Sequence, residues 1–140
     1  MASLGFEMLD RHVVDGRGDE LACSIDDGAL SFAQLLERSA ALGGALKALG
    51  VEPGHDVAVR VEGVDRVTAV CACARLGARP ASEGAVVIEP DGELSIAVMI
   101  KAGGGDPAPS LAADPPGYAE EMRAAHPDVV GALLEGRPVT

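Results

Sequence analysis

The residues with the clearest chemical potential lie in the stretch IKAGGGDPAPS, residues 100–110. A mostly apolar run, residues 94–100, reads as a strand that feeds three glycines. A strand followed by a glycine-rich turn grips phosphate where backbone N–H groups converge on the anion and a lysine balances its charge. Lys101, Gly103, Gly104 and Gly105 are the candidates for such a grip. The same stretch argues against a working one. Asp106 adds a negative charge, Pro107 and Pro109 remove N–H donors, and no hydroxyl residue stands beside the glycines. The expectation is a degenerate phosphate loop with no bound cofactor.

Other reactive residue types have simpler roles. The acid pairs Asp19–Glu20, Asp26–Asp27 and Glu120–Glu121 fall beside turns or on a polar helix face. Acid–base catalysis requires burial to separate the pKa values of such a pair. His12 and His55 read as surface residues, and His126 joins them in no metal-ligand spacing. Cys71 and Cys73 sit two apart in a predicted helix, about 200° apart around its axis. They read as small buried side chains, and no metal is expected. Residues 109–111, PSL, resemble the modified serine of a carrier protein but lack the preceding acid.

The chain has 140 residues and a net charge of −11, with 48% hydrophobic residues. That length is one domain's worth, long enough for a real core. The charge argues against nucleic acid and against an anionic membrane surface. Apolar runs are too short to cross a bilayer, and Glu7, Asp10 and Arg11 occupy the place of a signal peptide's apolar core. Three cysteines cannot all pair within one chain, so a reducing, cytoplasmic setting is expected. The aliphatic surplus points to a homodimer.

These residues need a scaffold. Residues 3–13 read as a first helix and residues 21–32 as a hairpin, with Asp27–Gly28 as its positive-φ turn. Ser31 and Gln34 form a capping box ahead of a long helix that Gly50 ends. Gly43 and Gly44 inside it imply close approach of another element. Val57, Val59 and Val61 mark a strand, and residues 64–76 a second helix stopped by Gly77 and Pro80. Two further strands are expected around Pro90-Asp91-Gly92, then short helices at residues 118–125 and 127–134. The predicted organisation is an α/β domain over 1–101, a Gly/Pro/Ala-rich linker over 102–117, and a helical segment over 118–140 packing on the domain or on a partner subunit.

Residues 10–59, DRHVVDGRGDELACSIDDGALSFAQLLERSAALGGALKALGVEPGHDVAV, and residues 67–80, VTAVCACARLGARP, resemble the N-terminal end of adenylate-forming acyl- and aryl-CoA ligases, the benzoate-CoA ligase group in particular. The resemblance spans about half the chain and is specific in order and spacing. It implies a small mixed, partly parallel sheet flanked by helices. Members use ATP and Mg²⁺ to activate a carboxylic acid as an acyl-adenylate, then pass it to a thiol. Their matching region is scaffold; the metal-binding acid, ribose-binding Asp, hinge and catalytic Lys have no counterpart here. Laid on the family's YTSGTTGxPKG loop, Gly103 matches a glycine, while Gly104 and Gly105 replace hydroxyl residues and the lysine position is not basic.

Three functions are compatible with this pattern. One is a non-catalytic accessory protein that binds a full-length ligase or another biosynthetic enzyme. A second is a repurposed, ATP-independent domain that binds or tailors an acyl, aryl or polyketide-like intermediate. The third is a fragment that complements a separately encoded remainder.

Overall fold

The computed structural model describes residues 2–140. The first helical stretch, residues 4–17, contains two wide π-type turns, Phe6–Asp10 and Val13–Arg17. Strands β1 (Leu21–Ile25) and β2 (Gly28–Ser31) form an antiparallel hairpin. Its positive φ falls on Asp26 (53°), one residue earlier than the Asp27–Gly28 expectation. Gly28 is needed for space instead: a Cβ there would stand 2.9 Å from the Val64 side chain.

Helix α1 (Phe32–Ala48) begins with the expected capping box, Ser31 and Gln34 each accepting a backbone N–H of the other. Gly50 follows its end at φ +95°. A Cβ on Gly44 would lie 2.7 Å from the backbone of Gly104, and one on Gly43 would lie 3.0 Å from Pro107. The two mid-helix glycines thus admit the segment after α3, as their cost in helix propensity implied.

Strand β3 (Asp56–Val59) is the centre of a three-stranded parallel sheet in the order β4-β3-β5, with β4 at Arg79–Ala81 and β5 at Val86–Ile88. Between β3 and β4 runs α2 (Gly63–Leu76), buried at every position from Val67 to Leu76. Parallel neighbours ordinarily need a crossover of about a dozen residues. Here residues 82–85 carry the chain from β4 on one side of β3 to β5 on the other. Three-residue strands make that short return possible. Its tightest point is Gly84, whose Cβ would run into the Asp56 carbonyl and stand 2.9 Å from the Ala58 nitrogen.

The second strand expected after Pro90 is a helix instead, α3 (Ile96–Ala102), capped by Ser95, whose hydroxyl accepts the Val98 N–H. A short apolar run is ambiguous between strand and helix, and the cap decides it. The later helical expectations correspond to α4 (Tyr118–Ala125), a π-type turn (Pro127–Gly131) and α5 (Ala132–Leu134).

The core has two lobes that share α2. One gathers Met8, Leu9, Phe32, Leu35, Val67, Val70 and Cys71 with Tyr118, Met122, Val130 and Leu133. The other gathers Leu42, Leu46, Val57, Ala72, Cys73, Ile88 and Met99. The C-terminal segment closes the first lobe. Arg11 donates to the Leu134 carbonyl (2.6 Å), Arg17 donates to the Gly136 carbonyl (2.7 Å), and His12 Nε2 lies 2.7 Å from the Leu133 carbonyl. Val139 bridges in parallel to Cys23, extending the hairpin.

Gly84→Ala is expected to lower stability by about 2 kcal/mol or more, because backbone faces the new methyl. Gly50→Ala, with open space around it, should cost only the roughly 1 kcal/mol of its positive φ. Urea unfolding followed by far-ultraviolet circular dichroism separates the two.

Candidate functional site

The four phosphate-loop candidates sit at the end of α3. Lys101 is exposed in its last turn, and Gly103 (φ +62°) caps the helix, its N–H donating to the Met99 carbonyl at 2.9 Å. Gly104 (φ +135°) lies against Gly44, and Gly105 is exposed. The polarity is opposite to that of an anion cradle. A phosphate loop leads into a helix N-terminus, whose N–H groups attract the anion; this turn follows a helix C-terminus, whose carbonyls repel it.

Asp106, next in the chain, is committed elsewhere. Arg75 is 1% exposed in α2, and its guanidinium is held by two carboxylates. Nε and Nη2 donate to Asp106 at 2.9 and 2.5 Å, while Nη1 and Nη2 donate to Asp10 at 2.6 and 3.1 Å. Burial opposes charge on Asp106, yet the Arg75 hydrogen bonds and the Ala108 N–H hold its carboxyl below the usual value. The same partners outweigh desolvation at Arg75 and keep its guanidinium charged. Residues 104–107, inside the Gly/Pro/Ala-rich stretch, are therefore anchored by Gly44, Arg75 and Gly43 in turn. The signal for this cluster was present in the sequence: Arg75 is the lone charge in VTAVCACARLG, residues 67–77.

A second polar cluster lies beside the C-terminal ends of β3 and β4. Arg66 forms a two-pronged pair with Asp128 (2.7 and 3.2 Å), and His126 Nδ1 lies 3.4 Å from Arg66. Desolvation, and then the Arg66 charge, push the His126 pKa down, so its ring is neutral at pH 7. The cavity there is 270 Å³ and also carries Glu62 and Ser82. The acid of the Arg66 pair already neutralises the cation, leaving no net positive field for an anion.

The remaining candidates are structural. His12, expected on the surface, is 3% exposed and stacks on Phe32 with ring centroids 4.8 Å apart. His55 is exposed and accepts the Glu52 N–H at 3.1 Å. Asp19, Glu20, Asp26, Asp27, Glu120 and Glu121 are exposed. Cys71 and Cys73 face different lobes of the core. Burial raises both thiol pKa values, that of Cys73 to about 12, so neither is a thiolate at pH 7. Among the described residues no group of His, Cys, Asp or Glu could hold a metal, and no helix is long and apolar enough to cross a membrane.

No family model matches the chain. Curated relatives do match part of it. Acetyl-coenzyme A synthetase of Streptomyces avermitilis is 35% identical over 82 residues, 54% of this chain and 13% of that protein. The mitochondrial acyl-CoA synthetase short-chain family member 3 of Rattus norvegicus is 31% identical over 85 residues, 56% of this chain and 12% of that protein. The chain is a partial relative of the acyl-CoA synthetases. It spans about an eighth of the length of those relatives. The fold agrees: an artificially fused adenylation–PCP di-domain from Klebsiella oxytoca superposes with a TM-score of 0.56 at 16% identity, covering 72% of this chain and 24% of that one. The synthetase-like chain thus has the mixed α/β architecture of adenylation enzymes, with a small parallel sheet flanked by helices.

Breaking the Arg75 cluster should show in acid. A carboxylate whose folded pKa is depressed stabilises the fold fully at neutral pH, and that contribution is lost as pH falls from about 4 through the lower folded value. Asp106→Asn is expected to destabilise at pH 7 and to flatten the stability curve below about pH 4. Arg75→Met should cost about 3 kcal/mol or more at pH 7, because it leaves two carboxylates facing each other. Thermal melts across pH 3–7 check both. Cys71 and Cys73 should resist a thiol reagent in the native protein and react in denaturant, read by mass spectrometry.

Proposed function

We propose that the synthetase-like chain is an accessory protein, non-catalytic for ATP chemistry, that works by binding a protein partner in a biosynthetic setting. The observation that carries this reading is the turn after α3. Its glycines follow a helix C-terminus, and its acid is spent on Arg75 rather than on a metal or nucleotide. Lys101, Gly103, Gly104 and Gly105 then serve as a turn that docks on α1, and no cofactor is required. A full-length ligase of the same family is one class of partner, and a separately encoded remainder of such an enzyme is another.

The homodimer expected from composition we assign to the outer face of α3, where Leu94 and Val98 are 51% and 46% exposed. Three free, buried cysteines suit a reducing compartment such as the cytoplasm. A second reading, an ATP-independent domain for an acyl or aryl ligand, draws support from a half-open pocket of 400 Å³ where Val51, Leu76 and Leu111 stand beside Lys47 and Glu52.

The deciding experiment combines pyrophosphate release with thermal shift, using ATP–Mg²⁺, aryl and acyl acids, and CoA thioesters. The expected outcome is no pyrophosphate and no shift with nucleotide. Release of pyrophosphate would overturn the accessory reading. A shift with an organic acid or thioester alone would favour the second reading, since binding raises the melting point by mass action.

A further inference from the structure

An open groove of 740 Å³ runs between the start of the N-terminal helix, residues 111–117 and the first turn of α4. Its walls are apolar: Phe6, 36% exposed, faces a floor that includes Leu111 and Leu134. Its rim is acidic, with Glu7 and Glu120, and among the described residues that line it none is basic. The nearest cation is Arg11, which pairs with Glu7 at 3.2 Å while donating to the Leu134 carbonyl. Asp114 lies beneath the rim, one carboxylate oxygen accepting the Leu4 N–H at 2.8 Å and the other buried, and ties residues 111–117 to the N-terminal helix.

The charge selects the occupant. A second copy seated by the same face would set its own Glu7 and Glu120 against these acids and is repelled there. A small ligand in an open groove would keep much of its surface in water, whereas ligand sites enclose most of theirs. Apolar walls under an acidic rim fit an amphipathic helix whose apolar side chains lie in the groove and whose flanking lysines or arginines meet the acids. We infer that this groove docks a basic amphipathic helix of the partner protein. The inference rests on the accessory reading and supplies its binding surface.

The test uses a labelled peptide with leucines at helical spacing and lysines between them, beside a counterpart with glutamates for the lysines, both followed by fluorescence anisotropy. The lysine peptide should bind, and several-fold more weakly as salt rises from about 50 to 300 mM. Glu120→Lys should weaken binding about five-fold. Phe6→Ser should weaken it about ten-fold, with the melting temperature of both variants confirming the fold. The groove assignment is overturned if the glutamate peptide binds equally well, if neither variant changes the affinity, or if neither peptide binds. A native-mass dimer that Phe6→Ser dissociates would overturn it as well, in favour of a second copy. The accessory reading stands or falls separately: pyrophosphate release with ATP would remove it whatever the peptides do, while absent peptide binding without pyrophosphate would remove the groove alone.

Discussion

One buried cation organises the molecule. Arg75 is the one charge in the fully buried stretch Val67–Leu76 of α2, where a lone guanidinium would be costly to desolvate. It is tolerable only because Asp10 and Asp106 arrive from segments 65 residues earlier and 31 residues later. The planar fork of arginine makes two hydrogen bonds to each of two carboxylates, more than the three donors of a lysine could. Each acid brings its segment along. Asp10 seats the N-terminal helix, whose Gly5 leaves room for the Ala74–Arg75 backbone. Asp106 pulls the glycine-rich stretch onto α1. Such a cluster adds less net stability than its bond count suggests. Its effect is to fix one arrangement of the N-terminal helix, α2 and the glycine-rich stretch.

That arrangement also gives the glycine-rich turn of this synthetase-like scaffold a role within the fold. A phosphate site needs free N–H groups and a positive field. Here Gly103 donates its N–H back to its own helix, and the neighbouring acid answers to Arg75. The glycines remain useful for a different physical reason. Without a side chain, Gly104 can lie backbone to backbone on Gly44.

Local rules made much of the scaffold legible in the residues. Ser31 and Gln34 announced α1, the hydrophobic spacing announced α2, and Gly43-Gly44 announced a close approach before its partner was known. The order of helix, strand and helix indicated an α/β layered domain, and the family resemblance added its small, partly parallel sheet. What stayed hidden was of two kinds. The run from Leu94 to Ile100 is too short to show its period, and the Ser95 cap that begins the helix lies inside it. The Arg75 cluster and the burial of His12 depend on contacts across the whole chain: His12 reads as polar and exposed until Leu133 and Phe32 close over it. Arg75 in its apolar run was the visible clue, and only topology could name its partners.

The bridge between Cys23 and Val139 has a temporal side. The N-terminal helix and the hairpin are made before the residues that roof them, from Tyr118 to Val139, which follow more than eighty residues later. During synthesis the early hairpin edge and the side chains of Met8, Leu9 and Phe32 stay uncovered. Contacts so distant in sequence form slowly, and an apolar face left waiting is a target for chaperones or for association with another chain. The lobe around β3 is assembled from residues much nearer one another and has no such delay. The nascent chain is therefore expected to be half-folded and adhesive around the hairpin until residues 118–139 emerge.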